Sequence, residues 1–149
     1  MHSIDLFVKN WGSKNAMTPI SIDDIAALES KFNVFLPDPY KYLLSSYGLV
    51  HSPNVLTKIC DLQVNIAEVQ DFLSLEDVYS LSKLYEMSGM PKGHILFASD
   101  CKGNMFCFKL ADCVSQQVDL PVWFFDYDLG TVKKVSNSFG GWLDEFNAL

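Results

Sequence analysis

The stretch that decides the fold is HILFASDCKGNMFCFKLADCVSQQVDLPVWFFDYDLGTVKKV, residues 94–135. Residues 94–99 are an apolar run of strand length, and Asp100-Cys101-Lys102-Gly103-Asn104 has the composition of a turn. Residues 105–110 form the return strand. Side chains of a strand alternate, so Phe106, Phe108 and Leu110 share one face. A polar loop over 111–121 follows. Residues 122–127 make a third strand dense in aromatics, Asp128-Leu129-Gly130 turns the chain, and residues 131–135 pair back as a fourth. This order predicts an antiparallel meander.

Helices flank the meander. Ser21 opens one, with Asp24 three residues on as a weak capping box. Ile22, Ile25, Leu28 and Phe32 recur at helical spacing as its apolar stripe. Leu36-Pro37 ends that segment, because a residue before proline is pushed out of the helical region. Asp38 reads as the N-cap of the next helix, with Pro39 in its first turn and Gly48 as its stop. The stretch 49–71 is harder. Its β-branched residues make 55–62 a candidate strand, and Phe72-Leu73 closes a strand before Ser74. Ser74 caps a further helix with Glu76 and Asp77 in the first turn, where the helix dipole favours acids. Val78, Leu81 and Tyr85 form its buried face with Leu75 and Leu84 beside them, and Gly89 and Pro91 end it. After the meander, Asn137 or Ser138 caps a last helix over 139–146, which Gly140 and Gly141 weaken. At the other terminus, Ile4, Leu6, Phe7 and Trp11 are apolar enough to pack on the rest as a short helix. Helices followed by a meander define an α+β domain. With no repeat or linker, residues 1–149 read as one domain, with 1–20 as an N-terminal extension packed on it.

The chain has 149 residues, 49% of them hydrophobic, enough for a core that is stable without staples. Mean hydropathy is +0.12. Eighteen acids oppose eleven lysines, with no arginine, for a net charge of −7. Nucleic acid and anionic membrane surfaces need clustered cations, so both are poor partners for this chain. A basic protein is a better one. The start lacks the basic and apolar regions of a signal peptide, and no apolar run approaches the ~18 residues of a membrane span. The expected location is the cytoplasm. Cys60, Cys101, Cys107 and Cys113 do not have zinc spacing and read as reduced, mostly buried thiols. No metal or cofactor is expected.

Four segments together resemble the SUKH superfamily, which includes the yeast cell-wall-assembly regulator domain and many bacterial immunity proteins. They are the helix over 21–32 followed by Leu36-Pro37-Asp38-Pro39-Tyr40; Tyr42-Leu43-Leu44 leading to Tyr47-Gly48; Ile95-Leu96-Phe97-Ala98-Ser99-Asp100 with Gly103-Asn104 and Phe106; and Val122-Trp123, Asp126, Gly130, Ser138-Phe139 and Trp142-Leu143. The resemblance covers residues 20–149. Cys101 departs from it, standing where the family's turn usually has a small residue. The resemblance implies an α+β fold with a bent, mostly antiparallel sheet flanked by helices. It also implies a binding role and not catalysis: neutralising a cognate secreted toxin, often a nuclease or other nucleic-acid-targeting domain, inside the cell. The alternative is a general interaction module in regulation, without a toxin.

The residues themselves allow three chemistries. A cysteine with His2, His51 or His94 would need hydrogen-bond reach and an orienting group, and no catalytic motif accompanies them. Asp100, Asp112, Asp119, Asp126 and Asp128 cluster near strand ends. Paired acids hydrolyse glycosides only when they face each other ~5–9 Å apart. Asp100 and Asp128 also fit plain turn chemistry. The third reading is an acidic face for a basic partner, which the loop residues Asp112 and Asp119 fit best. Trp123, Phe125 and Tyr127 share one strand face, Phe124 and Asp126 the other. Aromatics on both faces mean a sheet covered twice or an exposed apolar patch; core is the expected place of each of these rings, Tyr127 included, and Trp123 is the one that comes nearest to an interface anchor. The expected partner surface is thus Asp100, Asp112, Asp119, Trp123, Asp126 and Asp128. The expected partner is the toxin's C-terminal domain, with the chain itself a monomer or weak dimer.

Overall fold

A computed structural model describes residues 2–12, 17–116 and 118–149. Residue 1 and residues 13–16 of the N-terminal extension, and Gln117 of the 111–121 loop, lie outside the described residues. Five strands form one antiparallel sheet in chain order: β1 (Asp71–Phe72), β2 (His94–Ser99), β3 (Met105–Lys109), β4 (Val122–Asp126) and β5 (Thr131–Ser136). The meander and its α+β class are as the sequence predicts. β3 stops at Lys109, one residue early, because Leu110 begins a 3₁₀ turn over Leu110–Asp112. Leu110 therefore leaves the face it was expected to share with Phe106 and Phe108. The pairing of β2 with β3 skips Phe97, and that of β4 with β5 skips Val135. Such bulges bend a strand and raise its twist.

The register sorts the two faces. Ile95 lies opposite Phe108, and Ala98 and Phe124 lie opposite Phe106. Cys107 lies opposite Leu96 and Trp123, and Trp123 opposite Lys134, on the other face. The first face meets α3 (Asp38–Ser46) and α6 (Phe139–Asn147) in an aromatic core. Phe97 stacks on Phe108 at 4.2 Å between centroids, and the Trp142 ring lies 4.8 Å from Phe106 and 5.5 Å from Phe97. Tyr40, Phe139 and Trp142 are fully buried there. Each such ring contributes about 2–3 kcal/mol by leaving water.

The remaining helices follow from local chemistry. α1 (His2–Trp11) buries Ile4 and Phe7 and lies against α6, where Trp11 Nε1 donates to the Phe146 carbonyl at 3.2 Å. In α2 (Ile22–Phe32) the Ser21 hydroxyl accepts from Asp24 N. Ile25 and Leu28 are buried as expected, but Ile22 is exposed, since the first helical residue sits beyond the contact with the core. The N-cap of α3 is Pro37 and not Asp38, whose side chain pairs with Lys41 instead. Residues 55–62 are not a strand. They belong to α4 (Pro53–Leu62), which starts at a proline and buries Val55 and Ile59, one turn apart. That spacing outweighs β-branched composition. α5 (Leu75–Met87), capped by Ser74, covers the second face of the sheet beside β2, where the Ser82 hydroxyl accepts from Leu96 N at 2.9 Å. No described helix is long and apolar enough to cross a membrane.

Candidate functional site

A meander puts alternate turns at opposite ends of the sheet. The β2–β3 turn and the β4–β5 turn share one end. Asp100 stabilises the first of them. Its Oδ1 accepts from Lys102 N at 2.8 Å and Asn104 N at 2.9 Å, and its Oδ2 accepts from Asn104 Nδ2 at 2.8 Å. Asn104 Oδ1 in turn accepts from Tyr127 N at 2.9 Å, which ties the two turns together. Asp126 Oδ1 accepts from Leu129 N at 3.1 Å, while its second oxygen has no partner among the described residues, and Asp128 is exposed. Asp100, by contrast, is 8% exposed and spends both oxygens inside the turn. Its role here is to hold the tip rigid.

The C-terminal end of α5 completes this surface. Tyr85 donates its hydroxyl to the Gly103 carbonyl at 3.0 Å, and its ring lies 6.0 Å from Phe125 and 6.1 Å from Tyr127. Burial pushes its phenol above the usual range. A groove of about 370 Å³ runs between α5 and the tips, lined by Leu84, Tyr85, Ser88, Lys102, Gly103 and Tyr127. Tyr127 is 58% exposed, Leu84 52%, and Met87, one turn on from Leu84, 85%. Exposed apolar groups gathered beside open carboxylates are an interface composition. Leu84 was expected beside the buried face of its helix. It points outward because α5 packs on the sheet through Val78 and Ser82. Tyr127 was expected to be core. It lies one residue past the last paired position of β4, where the sheet no longer covers it. An aromatic between two aspartates at a turn was the available signal for it.

The structure does not gather all six expected residues. Asp112 and Asp119 lie in the β3–β4 connection, at the other end of the sheet. Asp112 is half-buried in the 3₁₀ turn. The Asp119 carboxylate accepts from Leu120 N, Phe139 N and Gly140 N at 2.7, 2.7 and 3.1 Å, so it closes the start of α6. Trp123 stands apart on the second face of the sheet, half-buried, with Lys109 Nζ 3.6 Å and Lys134 Nζ 5.4 Å from its ring centroid.

The histidines and thiols are occupied otherwise. His94 is buried, its Nδ1 lies 2.9 Å from the Pro91 carbonyl, and burial pushes its imidazole below the usual range. His51 contacts Asp71 at the surface. Cys107 and Cys113 are buried and donate to the carbonyls of Trp123 and Lys109. Burial pushes both thiols up to about 12, so neither is a thiolate at neutral pH. Cys60 and Cys101 are exposed, against the expectation of mostly buried thiols, because α4 turns Cys60 outward and Cys101 sits at a turn tip.

No curated protein shows a significant match to the chain. The description of the SMI1 / KNR4 family (SUKH-1) matches residues 19–145, which takes in every described element except α1 and the last two residues of α6. With the sheet order and the two-sided helical cover, this match closes the question of ancestry: the chain belongs to the SMI1 / KNR4 family (SUKH-1), a family associated with toxin immunity.

Proposed function

We propose that this protein is a cytosolic immunity protein. Residues 1–149 would act as one domain that binds the C-terminal domain of a cognate secreted toxin and occludes its working surface. Family membership supports the immunity theme. The observation that carries the binding surface is the hairpin-tip end, where Tyr127, exposed between Asp126 and Asp128 on turns locked by Asp100 and Asn104, shares a groove with exposed Leu84. Rigid apolar anchors give affinity because little side-chain entropy is lost on binding. The carboxylates add attraction for a basic surface such as a nuclease groove, in keeping with a net charge of −7. Binding here involves no bond-making step. It requires only that the toxin's substrate be excluded.

The experiment is co-expression with the C-terminal domain encoded by the adjacent upstream gene, scored by growth rescue and by calorimetry on the purified pair. Rescue with nanomolar or tighter affinity is expected, and Tyr127→Ala is expected to weaken it about tenfold or more. The absence of both rescue and heat would overturn the immunity reading in favour of an interaction module. Tight binding indifferent to Tyr127→Ala would move the surface elsewhere.

A further inference from the structure

β5 is the last strand of the sheet and pairs with β4 alone. No main-chain hydrogen bond outside that pairing reaches residues 131–136 among the described residues. Thr131, Lys133 and Lys134 are exposed along it. An open edge of this kind accepts another strand through its free N–H and C=O groups, and the side chains of the added strand then alternate between the two faces of the sheet.

The two faces beside this edge differ in chemistry. On the second face, Lys134 lies opposite Trp123, and Lys109 Nζ sits 3.6 Å from the Trp123 ring centroid. The ion pairs among the described residues involve Lys41 and His51 but neither of these lysines. The buried indole Nε1 of Trp123 has no acceptor among the described residues. In a chain with eighteen acids, this patch gathers donors that have no acceptor among the described residues. On the first face a groove of about 290 Å³ runs along the same edge, lined by apolar Phe106, Trp142, Ala67 and Val135 and also by Lys133, Lys134 and Glu145. An added strand would therefore place every second side chain in a field that calls for carboxylates. The intervening ones would lie over the groove that Phe106 and Trp142 line, where apolar side chains find cover and the Glu145 carboxylate disfavours further acids.

We propose that β5 is a docking edge for an extended acidic segment of another protein. It would add as a sixth strand, with its carboxylates on the Lys109–Trp123–Lys134 face and its apolar side chains in the groove over Phe106 and Trp142. Carboxylates bonded to ammonium donors are the stronger class of hydrogen bond. The occupant is not a second copy of this chain. Two-fold pairing of β5 with itself would bring the Lys133 and Lys134 side chains of both copies together, and like charges across strands repel. Lysines on an edge strand guard against self-association in just this way. This surface shares no residue with the hairpin-tip groove and stands independently of the toxin.

The test is selection of a random-peptide display library on the immobilised full chain. The enriched peptides are expected to alternate Asp or Glu with apolar residues. A synthetic copy of one is expected to slow hydrogen exchange at alternate β5 amides and to lose at least tenfold affinity for Lys134→Glu. The charge-matched Lys9→Glu on α1 and Tyr127→Ala are expected to bind it unchanged. No enrichment over bare support, enrichment without the alternation, or equal loss in Lys134→Glu and Lys9→Glu would each overturn the proposal.

Discussion

Asp119 lies in the loop before β4, yet its carboxylate closes the start of α6, twenty residues away. The first N–H groups of a helix have no partner within it, and the positive end of the helix dipole favours a carboxylate there. Asp119 takes Phe139 N and Gly140 N, and Ser138 Oγ takes Gly141 N at 2.9 Å. This double cap explains Gly140 and Gly141. A Cβ at 140 would stand 3.3 Å from Asp119 Oδ2, and one at 141 only 2.8 Å from Ser138 Oγ. The glycines that weaken the helix by propensity leave room for the groups that start it. Asp119→Ala is expected to cost about 1–3 kcal/mol. By thermal unfolding, that lowers Tm by about 3–10 °C for a chain of this size. Asp119→Asn should lose less, and toxin affinity measured well below Tm should be unchanged in both. An affinity loss without a Tm loss would return Asp119 to the interface. Asp100 was legible in the sequence as a turn residue because its partners lie two and four residues on. Asp119 was not, because nothing in a sequence spacing connects a loop carboxylate to a helix start twenty positions later.

At the scale of elements, short-range pattern decided what was readable. The β2–β3 and β4–β5 hairpins were legible because turn composition and alternation act over a few residues. α4 was missed because Val55 and Ile59 are equally good strand formers, and only their spacing from a leading proline shows the helix. α1 was readable as an apolar segment through Ile4, Phe7 and Trp11, but not its anchor. Asp5 Oδ1 accepts from the hydroxyls of Tyr42 at 2.9 Å and Tyr47 at 2.6 Å, which pins α1 to α3 and the residue that follows it. The bonds to Asp5 push the Tyr47 phenol up to about 12 and hold the Asp5 carboxyl below the usual range. Tyr47 is protonated in the anchored state, and its unfolded pKa is about 10. A raised pKa in the folded state means that this stabilisation is whole below pH 10 and is lost as pH rises from there to about 12. Phenolate absorbance should show a late-titrating tyrosine that Asp5→Asn brings back toward 10. Exchange of the α1 amides should speed up in the same variant at neutral pH. A titration unchanged by Asp5→Asn would mean that burial alone, and not the anion, holds the proton.

At the scale of the whole molecule, charge is unevenly placed. Asp126 and Asp128 sit at the hairpin tips, while Lys109, Lys133 and Lys134 gather on and beside β5. Net charge and the lack of arginine were legible from composition, but this separation was not, because it depends on which strand ends share an edge. In the proposed immunity role it would also divide the labour of binding. A basic toxin approaching the tips feels the carboxylates over about 10 Å at 0.1 M salt, a range that shrinks to about 3 Å at 1 M. Steering of this kind acts on encounter and little on the bound state, where in the proposed complex Tyr127 and Leu84 would exclude water. Stopped-flow association should therefore slow about tenfold or more between low and high salt, while dissociation changes far less. Asp126→Asn combined with Asp128→Asn should flatten that salt dependence and leave dissociation near the parent rate. Tyr127→Ala should do the reverse, keeping the salt slope and speeding dissociation. An association rate indifferent to salt would remove the electrostatic half of the proposed surface and leave its apolar anchors as the whole of the contact.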